Sequence, residues 1–434
     1  MMNREILRIA LPAILANITI PLLGLLDTAI AGHLGSATYL GAIAVASMIF
    51  NLVYWNFGFL RMSTSGLTAQ SYGRGDHAGC VAVLRQSCVV ALAVALGIVV
   101  LQAPLLRLAL WVIGPSPQVS AMAAQYYRIC VWGAPPVLLM MSAKGWLLGM
   151  QDSRGAMMVS IVVNVLNIVA SLLAVYVFRQ GFIGIAIGTL AAEWIGLAYT
   201  GWLVSRRISV EKASAEAAIA TSASVSFKRF FSVSGDIFVR SFLLMLVNLA
   251  VTAIGARSGD LVLAANSLIQ QLNTLFAYFL DGIAFAGEAL VGKYFGAGNT
   301  ARLRLCVRRL FVWAMVLTSF FTLFYAFPQL AFYLLTDDAP VIVTAMDYRW
   351  WCALLPIAGM AAFVWDGVFI GLTRTRGMLI AVAVASVVFF PLYALLPPAL
   401  GNHRLWLAFV VYLAMRGVVQ TALYTHRRAP SVKC

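Results

Sequence analysis

The chain has 434 residues, of which 62% are hydrophobic and 10% are charged. A soluble domain uses roughly 25% charged residues to solvate its surface, so this composition argues against a water-soluble globular fold and for a lipid-facing one. The formal net charge of +15 invites a nucleic-acid reading. However, Lys and Arg sit in short breaks between apolar runs and form no basic domain, which is the pattern of cytoplasmic loops.

The apolar runs extend over ~20 residues or more, which indicates membrane helices; barrel strands would alternate over about 10. The first predicted helix, 7–32, lies in MMNREILRIALPAILANITIPLLGLLDTAIAG. Its apolar part is too long for a signal-peptide core, and no clear cleavage site follows. It carries Pro12 and Pro21, of the kind membrane bundles tolerate at a bend, and one acid, Asp27. An Asp at a helix centre costs ~2.5–3.5 kcal/mol on insertion scales, so it is rarely there without a role. A carboxyl in a low-dielectric cavity can load and release a proton at physiological pH. The competing reading is a structural hydrogen bond or a salt bridge between helices.

The second and third helices are predicted at 40–69, with Arg61, and at 80–102. The fourth, at 120–149, holds Pro135, Pro136 and Lys144. Lys144 is either the partner of Asp27 or an end-of-helix lysine reaching to the cytoplasmic surface. The fifth, at 157–178, carries Asn164, Asn167 and Ser171, whose spacings of three and four place them on one face. The sixth, at 182–204, carries Thr189 and Glu193 on one face in the same way. Together these residues suggest a polar cavity in the first half, although polar side chains also join membrane helices to one another. The stretch SRRISVEKASAEAAIATSASVSFKR at 205–229 reads as a cytoplasmic linker from its Ala/Ser content and mixed charge.

Six further helices follow at 231–256, 262–291, 306–335, 341–371, 377–398 and 404–425. The seventh has Asp236 and Arg240. The eighth carries Asp281 and Glu288 seven apart on one face, and the tenth carries Asp366. These three acids are candidates for a second-half cavity that attracts a cation; Arg240 and Arg349 offer internal ion pairs instead. The 25 Phe, 15 Tyr, 11 Trp and 16 Met include side chains suited to an adaptable site for apolar cations, though most would pack against lipid or neighbouring helices.

The two halves repeat. SYGRGDHAGCVAVLRQS at 71–87 matches YFGAGNTARLRLCVRRL at 294–310, and KGWLLGMQDSRGAM at 144–157 matches DGVFIGLTRTRGML at 366–379. Nearly one offset and six intervening helices imply a parallel repeat about an axis along the membrane normal, an arrangement of secondary transporters. The resulting organisation is 1–204 with helices one to six, the linker 205–229, and 230–434 with helices seven to twelve and a short tail. With the N-terminus inside, inside segments and the helix ends that adjoin them hold 20 Lys and Arg residues against 4 outside, which places both termini in the cytoplasm. In this repeat Lys144 is equivalent to Asp366, so the halves differ in charge at a matched position.

Other chemistry has little support. The six Cys form no CxxC and only four His are present, so no metal or cofactor is expected. No GxxxxGK[ST] sequence occurs, which disfavours ATP-driven pumping within this chain. Asp337-Asp338 lies in a predicted outside loop without further acidic clustering. A membrane-embedded transferase would need a convergent metal–carboxylate cluster, and none is evident, so no enzymatic activity is expected.

LDTAIAGHLG at 26–35, NVLNIV at 164–169, LDGIAFAGEALVGKYFGAG at 280–298 and WDGVFIGLTRT at 365–375 resemble the multidrug and toxic compound extrusion family, in its DNA-damage-inducible F branch. The resemblance covers nearly the whole chain. It implies an all-α membrane protein of twelve transmembrane helices in two pseudo-symmetric six-helix lobes around a V-shaped cleft, in a bacterial cytoplasmic (inner) membrane. It also implies a monomeric secondary multidrug efflux antiporter. The expected substrates are organic cations and amphipathic drugs, H⁺ is the expected coupling ion, lipid the surroundings, and nucleic acid no partner. By resemblance Asp27 matches a first-helix aspartate implicated in proton coupling, and Asn167 and Thr189 match polar residues of the same site. Ser171 departs from the branch, which commonly has a second Asp there. The alternatives are a lipid-linked precursor flippase of similar architecture, and Na⁺-coupled export.

Overall fold

The computed structural model describes residues 1–34, 36–215 and 226–426. Residues 216–225 of the expected linker, and the tail residues Arg427, Arg428 and Lys433, lie outside the described residues. The described chain is helical throughout, without strands. In order the helices are α1 Met2–Gly32, α2 Ala37–Asn56, α3 Phe59–Gly73, α4 His77–Val100, α5 Gln102–Ile113, α6 Pro117–Cys130, α7 Ala134–Gly149, α8 Ser153–Leu172 and α9 Phe182–Ala215. They continue with α10 Phe227–Ala256, α11 Asp260–Gly296, α12 Thr300–Ala326, α13 Gln329–Leu335, α14 Ala339–Asp347, α15 Arg349–Gly371, α16 Thr375–Leu395 and α17 His403–His426.

Ten segments among the described residues are long and apolar enough to cross a bilayer, and the protein is a multi-pass membrane protein. Leu92, Leu96, Trp111, Phe320, Leu323 and Val387 are among the many large apolar side chains left exposed. Such faces suit hydrocarbon, while the backbone polar groups are satisfied inside each helix.

Several expected spans are interrupted. The expected helix 40–69 is two helices, α2 and α3, parted at Phe57-Gly58. The expected helix 120–149 is α6 and α7 joined by a 3₁₀ turn at Val131–Gly133. Pro135 and Pro136 sit at the start of α7, where a missing N–H costs least. The expected 341–371 is α14 and α15, parted at Tyr348. Helix α9 continues through the charged residues after 204 to Ala215, and α5 fills the loop that holds Arg107.

The chain divides into two units, one of Leu15–Ser234 and one of Met1–Ile14 with Gly235–Cys434. The first turns of α1 therefore belong with the second half. There the Tyr294 hydroxyl donates to the Glu5 carboxylate, and Gly282 of α11 lies against Ala10 and Ile14.

The sequence repeat reappears as backbone geometry inside each unit. Gly75 and Gly298 take left-handed φ values of 74° and 66° at equivalent turns. The next residue then caps a helix: Asp76 accepts from the Gly79 N–H at 2.7 Å and Asn299 from the Arg302 N–H at 3.0 Å. Gln151 and Thr373, also equivalent, are both left-handed at 64° and 52°.

A close helix crossing is repeated as well. A Cβ on Gly145 of α7 would lie 2.2 Å from the Arg61 carbonyl oxygen of α3, and one on Gly149 would lie 2.7 Å from that of Ser65. In the other unit a Cβ on Gly367 of α15 would lie 2.2 Å from the Ala284 oxygen of α11, and one on Gly371 would lie 3.0 Å from the Glu288 oxygen. Each pair is a GxxxG spacing, which lets two membrane helices meet backbone to backbone. Polar side chains reinforce the packing. Thr64, Ser87 and Ser142 form a hydroxyl chain with both links at 2.7 Å, and Asn266 and Asn402 exchange amide bonds at 3.1 and 2.7 Å.

Candidate functional site

The polar face expected on α8 exists and joins three helices of the Leu15–Ser234 unit. Asn164 donates to the carbonyl and hydroxyl oxygens of Thr19 on α1, at 3.2 and 3.0 Å. Asn167, 2% exposed, donates to Thr189 Oγ1 on α9 at 3.1 Å. Thr189 in turn donates to the Ile185 carbonyl at 3.0 Å. One turn beyond Asn167, Ser171 is fully buried and reaches the same carbonyl at 3.5 Å. A Cβ on Gly188 would lie 2.4 Å from the Ser171 backbone nitrogen, so α8 and α9 cross tightly here.

Asp27 lies late in α1, half-buried, and its Oδ1 is shielded from solvent with no hydrogen-bond partner among the described residues. Tyr126 and Cys130, one turn apart on α6, are within electrostatic reach of it. Tyr126 is also within side-chain hydrogen-bonding reach of Thr189 and Cys130, and Cys130 donates to the Ala186 carbonyl at 3.7 Å.

Glu193 follows Thr189 by one turn on α9. Its carboxylate lies against Gly133, where a Cβ would come 1.6 Å from Oε2. That oxygen is buried and without a hydrogen-bond partner. Tyr54 of α2 and Cys130 of α6 interact electrostatically with it. Phe50 stacks on both Tyr54 and Tyr127, with ring centroids 5.7 and 5.2 Å apart, and both tyrosine hydroxyls are buried and unpartnered. The sequence therefore marked one half of this cluster. Tyr54, Tyr126, Tyr127 and Cys130 were not foreseen, although YYRIC followed by the small Gly133 places Tyr126, Cys130 and Gly133 at helical spacing.

Lys144 sits half-buried on α7, directly before the first glycine of the close crossing. The charge it faces is Arg61 of α3. No hydrogen bond or ion pair links it to Asp27 among the described residues.

The second-half candidates occupy different settings. Asp281 is half-buried beside Tyr278 on α11. Glu288 is 1% exposed, two turns along the same helix, or roughly 10 Å along its axis. Asp366 is the centre of a buried network. Its Oδ2 accepts from Arg240 of α10 and, at 3.0 Å, from Arg416 of α17. Its Oδ1 accepts from Gln420 at 2.7 Å. Arg240 thus makes the internal ion pair the sequence allowed. Arg416 and Gln420 were missed, although an Arg within LAFVVYLAMRGVVQTALY was itself a signal. Arg349 lies over the Trp350 ring at 5.2 Å. Among the described residues no group of three or more His, Cys, Asp or Glu side chains is placed to hold a metal.

Comparison with known proteins supports the helical organisation. The family model described as MatE matches residues 12–173 and 237–395. DNA damage-inducible protein F of Escherichia coli K12 is 36% identical over 423 residues, covering 97% of this chain and 92% of that protein. A probable multidrug resistance protein NorM of Rhizobium meliloti is 27% identical over 446 residues, covering 95% of this chain and 90% of that protein. A crystal structure of MATE in the straight conformation superposes with a TM-score of 0.82 at 19% identity, covering 98% of this chain and 96% of that one.

Proposed function

The chain belongs to the MatE family of transporters, and from that premise we propose that it is a secondary multidrug exporter driven by protons, with Asp27 as the coupling residue. The observation that carries the reading is the Asp27 carboxyl. It is an acid within a membrane helix, with one oxygen buried and unpartnered, set beside Tyr126 and Cys130 and near the Asn167–Thr189 pair. Relatives named as multidrug resistance proteins support export of structurally varied small molecules, for which organic, often cationic, compounds are the proposed class.

In this reading α1 and the α6–α7 pair join the ten apolar segments to make twelve spans in two six-helix lobes. Both termini are cytoplasmic, as the 20 to 4 distribution of Lys and Arg supports, and the setting is a bacterial inner membrane. Export against a gradient requires alternation between inward-open and outward-open states, and a proton drives it only by binding the two states with different affinity. Protonation of Asp27 removes a charge from the cluster, which allows α1 to repack near Pro21 and the cavity to shrink. Loss of the proton to the cytoplasm restores the charge and the hydrated cavity. A one-unit difference in pKa between the states supplies ~1.4 kcal/mol of coupling.

The test is efflux of a fluorescent organic cation from proteoliposomes under an imposed pH gradient, repeated under an imposed Na⁺ gradient. Wild-type protein should respond to the pH gradient, and Asp27→Asn should insert normally and lose that response. A well-expressed Asp27→Asn protein with wild-type pH-driven efflux overturns the assignment. Efflux that follows Na⁺ alone transfers the reading to the sodium-coupled alternative.

A further inference from the structure

We propose that Glu193 is a second proton-carrying carboxylate of the Leu15–Ser234 unit, so that Asp27 is not the lone acid of the transport cycle. The inference rests on the antiport reading and adds a residue to it.

The argument starts from what surrounds Glu193. Its Oε2 is buried and accepts no hydrogen bond among the described residues. From α2 it is faced by Tyr54, and from α6 by Cys130, with Tyr127 beside Tyr54. The turn before α7 contributes only the backbone of Gly133. On α8 the neutral amide of Asn167 bonds Thr189, one turn before Glu193. Leu84 and Cys88 of α4 and Met140 of α7 share one hydrophobic cluster with Leu197 of α9. The one cation on α7, Lys144, is eleven residues beyond Gly133, about three turns away, and faces Arg61.

No Lys or Arg is among these neighbours of the half-buried Glu193, and a charge held against a low-dielectric wall without compensation is unfavourable. The neutral acid fits the site as it stands. The ionised form fits only if donors turn toward it. Two are at hand, the buried and unpartnered hydroxyls of Tyr54 and Tyr127. A carboxyl whose charged form depends on a rearrangement of its neighbours binds a proton with different affinity in different conformations, which is the requirement for coupling. Cys130 is in electrostatic contact with both Asp27 and Glu193, so the two acids share a neighbour on α6. The step is a simple protonation: the carboxylate takes H⁺ from the outside phase and returns it to the cytoplasm, with no bond to substrate formed or broken.

Infrared difference spectroscopy of the full chain in lipid nanodiscs reads the carbonyl stretch of protonated carboxyls without any substrate. Wild-type protein should lose two components of that band as the pH is raised. Glu193→Gln should remove one component and Asp27→Asn the other. Should Glu193→Gln fold poorly, Glu193→Asp keeps an acid in place and should displace the same component. A titration unchanged in Glu193→Gln, or undisplaced in Glu193→Asp, overturns the proposal. Proteoliposome flux of ethidium against protons forms the second arm: Glu193→Gln should lower the proton-to-cation ratio by one proton, and an unaltered ratio also overturns the proposal. Wild-type liposomes that move ethidium without proton flux refute the antiport reading separately, because the infrared arm reads protonation of the carboxyls without any transport.

Discussion

Replacing Asp366 by Asn should destabilise the protein far more than replacing either of its cationic partners. The Asp366 and Arg416 side chains are 10% and 6% exposed, so solvent screens their interaction little. Asp366→Asn removes the single carboxylate between two guanidinium groups and leaves both cations buried together. Breaking a buried pair from one side costs about 3–5 kcal/mol. Arg416→Gln instead leaves Asp366 paired with Arg240 and bonded to Gln420, so the loss is one charge-assisted hydrogen bond, about 1.5–3 kcal/mol. The double variant should cost less than the sum of the two, since removing Arg416 relieves a repulsion that Asp366→Asn creates. Equilibrium unfolding in mixed detergent micelles, followed by tryptophan fluorescence, measures all three. Equal costs for Asp366→Asn and Arg416→Gln, or a cost for Asp366→Asn below about 1 kcal/mol, would refute the view that this carboxylate holds the helices by charge.

The same unfolding assay tests the repeated crossing. Gly145→Ala and Gly367→Ala each drive a Cβ to 2.2 Å from a backbone carbonyl oxygen and should cost about 1–3 kcal/mol. Gly201→Ala, which meets nothing within 4 Å, should be neutral or stabilise by about 0.5–1 kcal/mol; three equal effects would remove the crossing from consideration. Ser205→Cys, on a background with the natural cysteines replaced, should resist an impermeant thiol reagent added outside intact cells, and ready labelling would reverse the proposed orientation. Lys144→Met should move the pH dependence of cation efflux, whereas Asp366→Asn should lower the amount of folded protein without moving the pH dependence of what remains. Identical pH profiles for wild type and Lys144→Met would separate Lys144 from proton coupling.

How much of this was legible in the sequence depended on the range of the interaction. Helices announced themselves because a membrane span needs an apolar run of sufficient length. The repeated turns were visible because a left-handed glycine and a capping Asp or Asn are local requirements, met at Gly75-Asp76 and Gly298-Asn299. The α8 face was visible because Asn164, Asn167 and Ser171 share one helix. The breaks at Phe57-Gly58 and Tyr348 were not, since neither carries a proline to mark it. Nor, Arg240 apart, were the partners of the acids, because Asp366 with Arg416, or Glu193 with Tyr54, are interactions between helices far apart in the chain, and periodicity within one helix carries no information about them.

What the two halves share and where they part follow from the same constraint. At Gly145 and Gly149, and again at Gly367 and Gly371, one backbone lies against another, and a side chain at any of these positions would part the helices. The neighbouring positions carry no such requirement. Lys144 and Asp366 each directly precede the first glycine, and Ser65 and Glu288 lend equivalent carbonyls to the second. At both places the repeat keeps the backbone and changes the charge. In the second half the result is a carboxylate bound by two arginines, which ties α10, α15 and α17 together. In the first half the acids Asp27 and Glu193 each keep a buried oxygen without a partner among the described residues. A carboxylate locked between two cations is poorly suited to exchange a proton, and one with an unpartnered oxygen is suited to it. In the proposed antiport cycle, proton chemistry would therefore fall to the half whose acids, among the described residues, keep an oxygen without a partner.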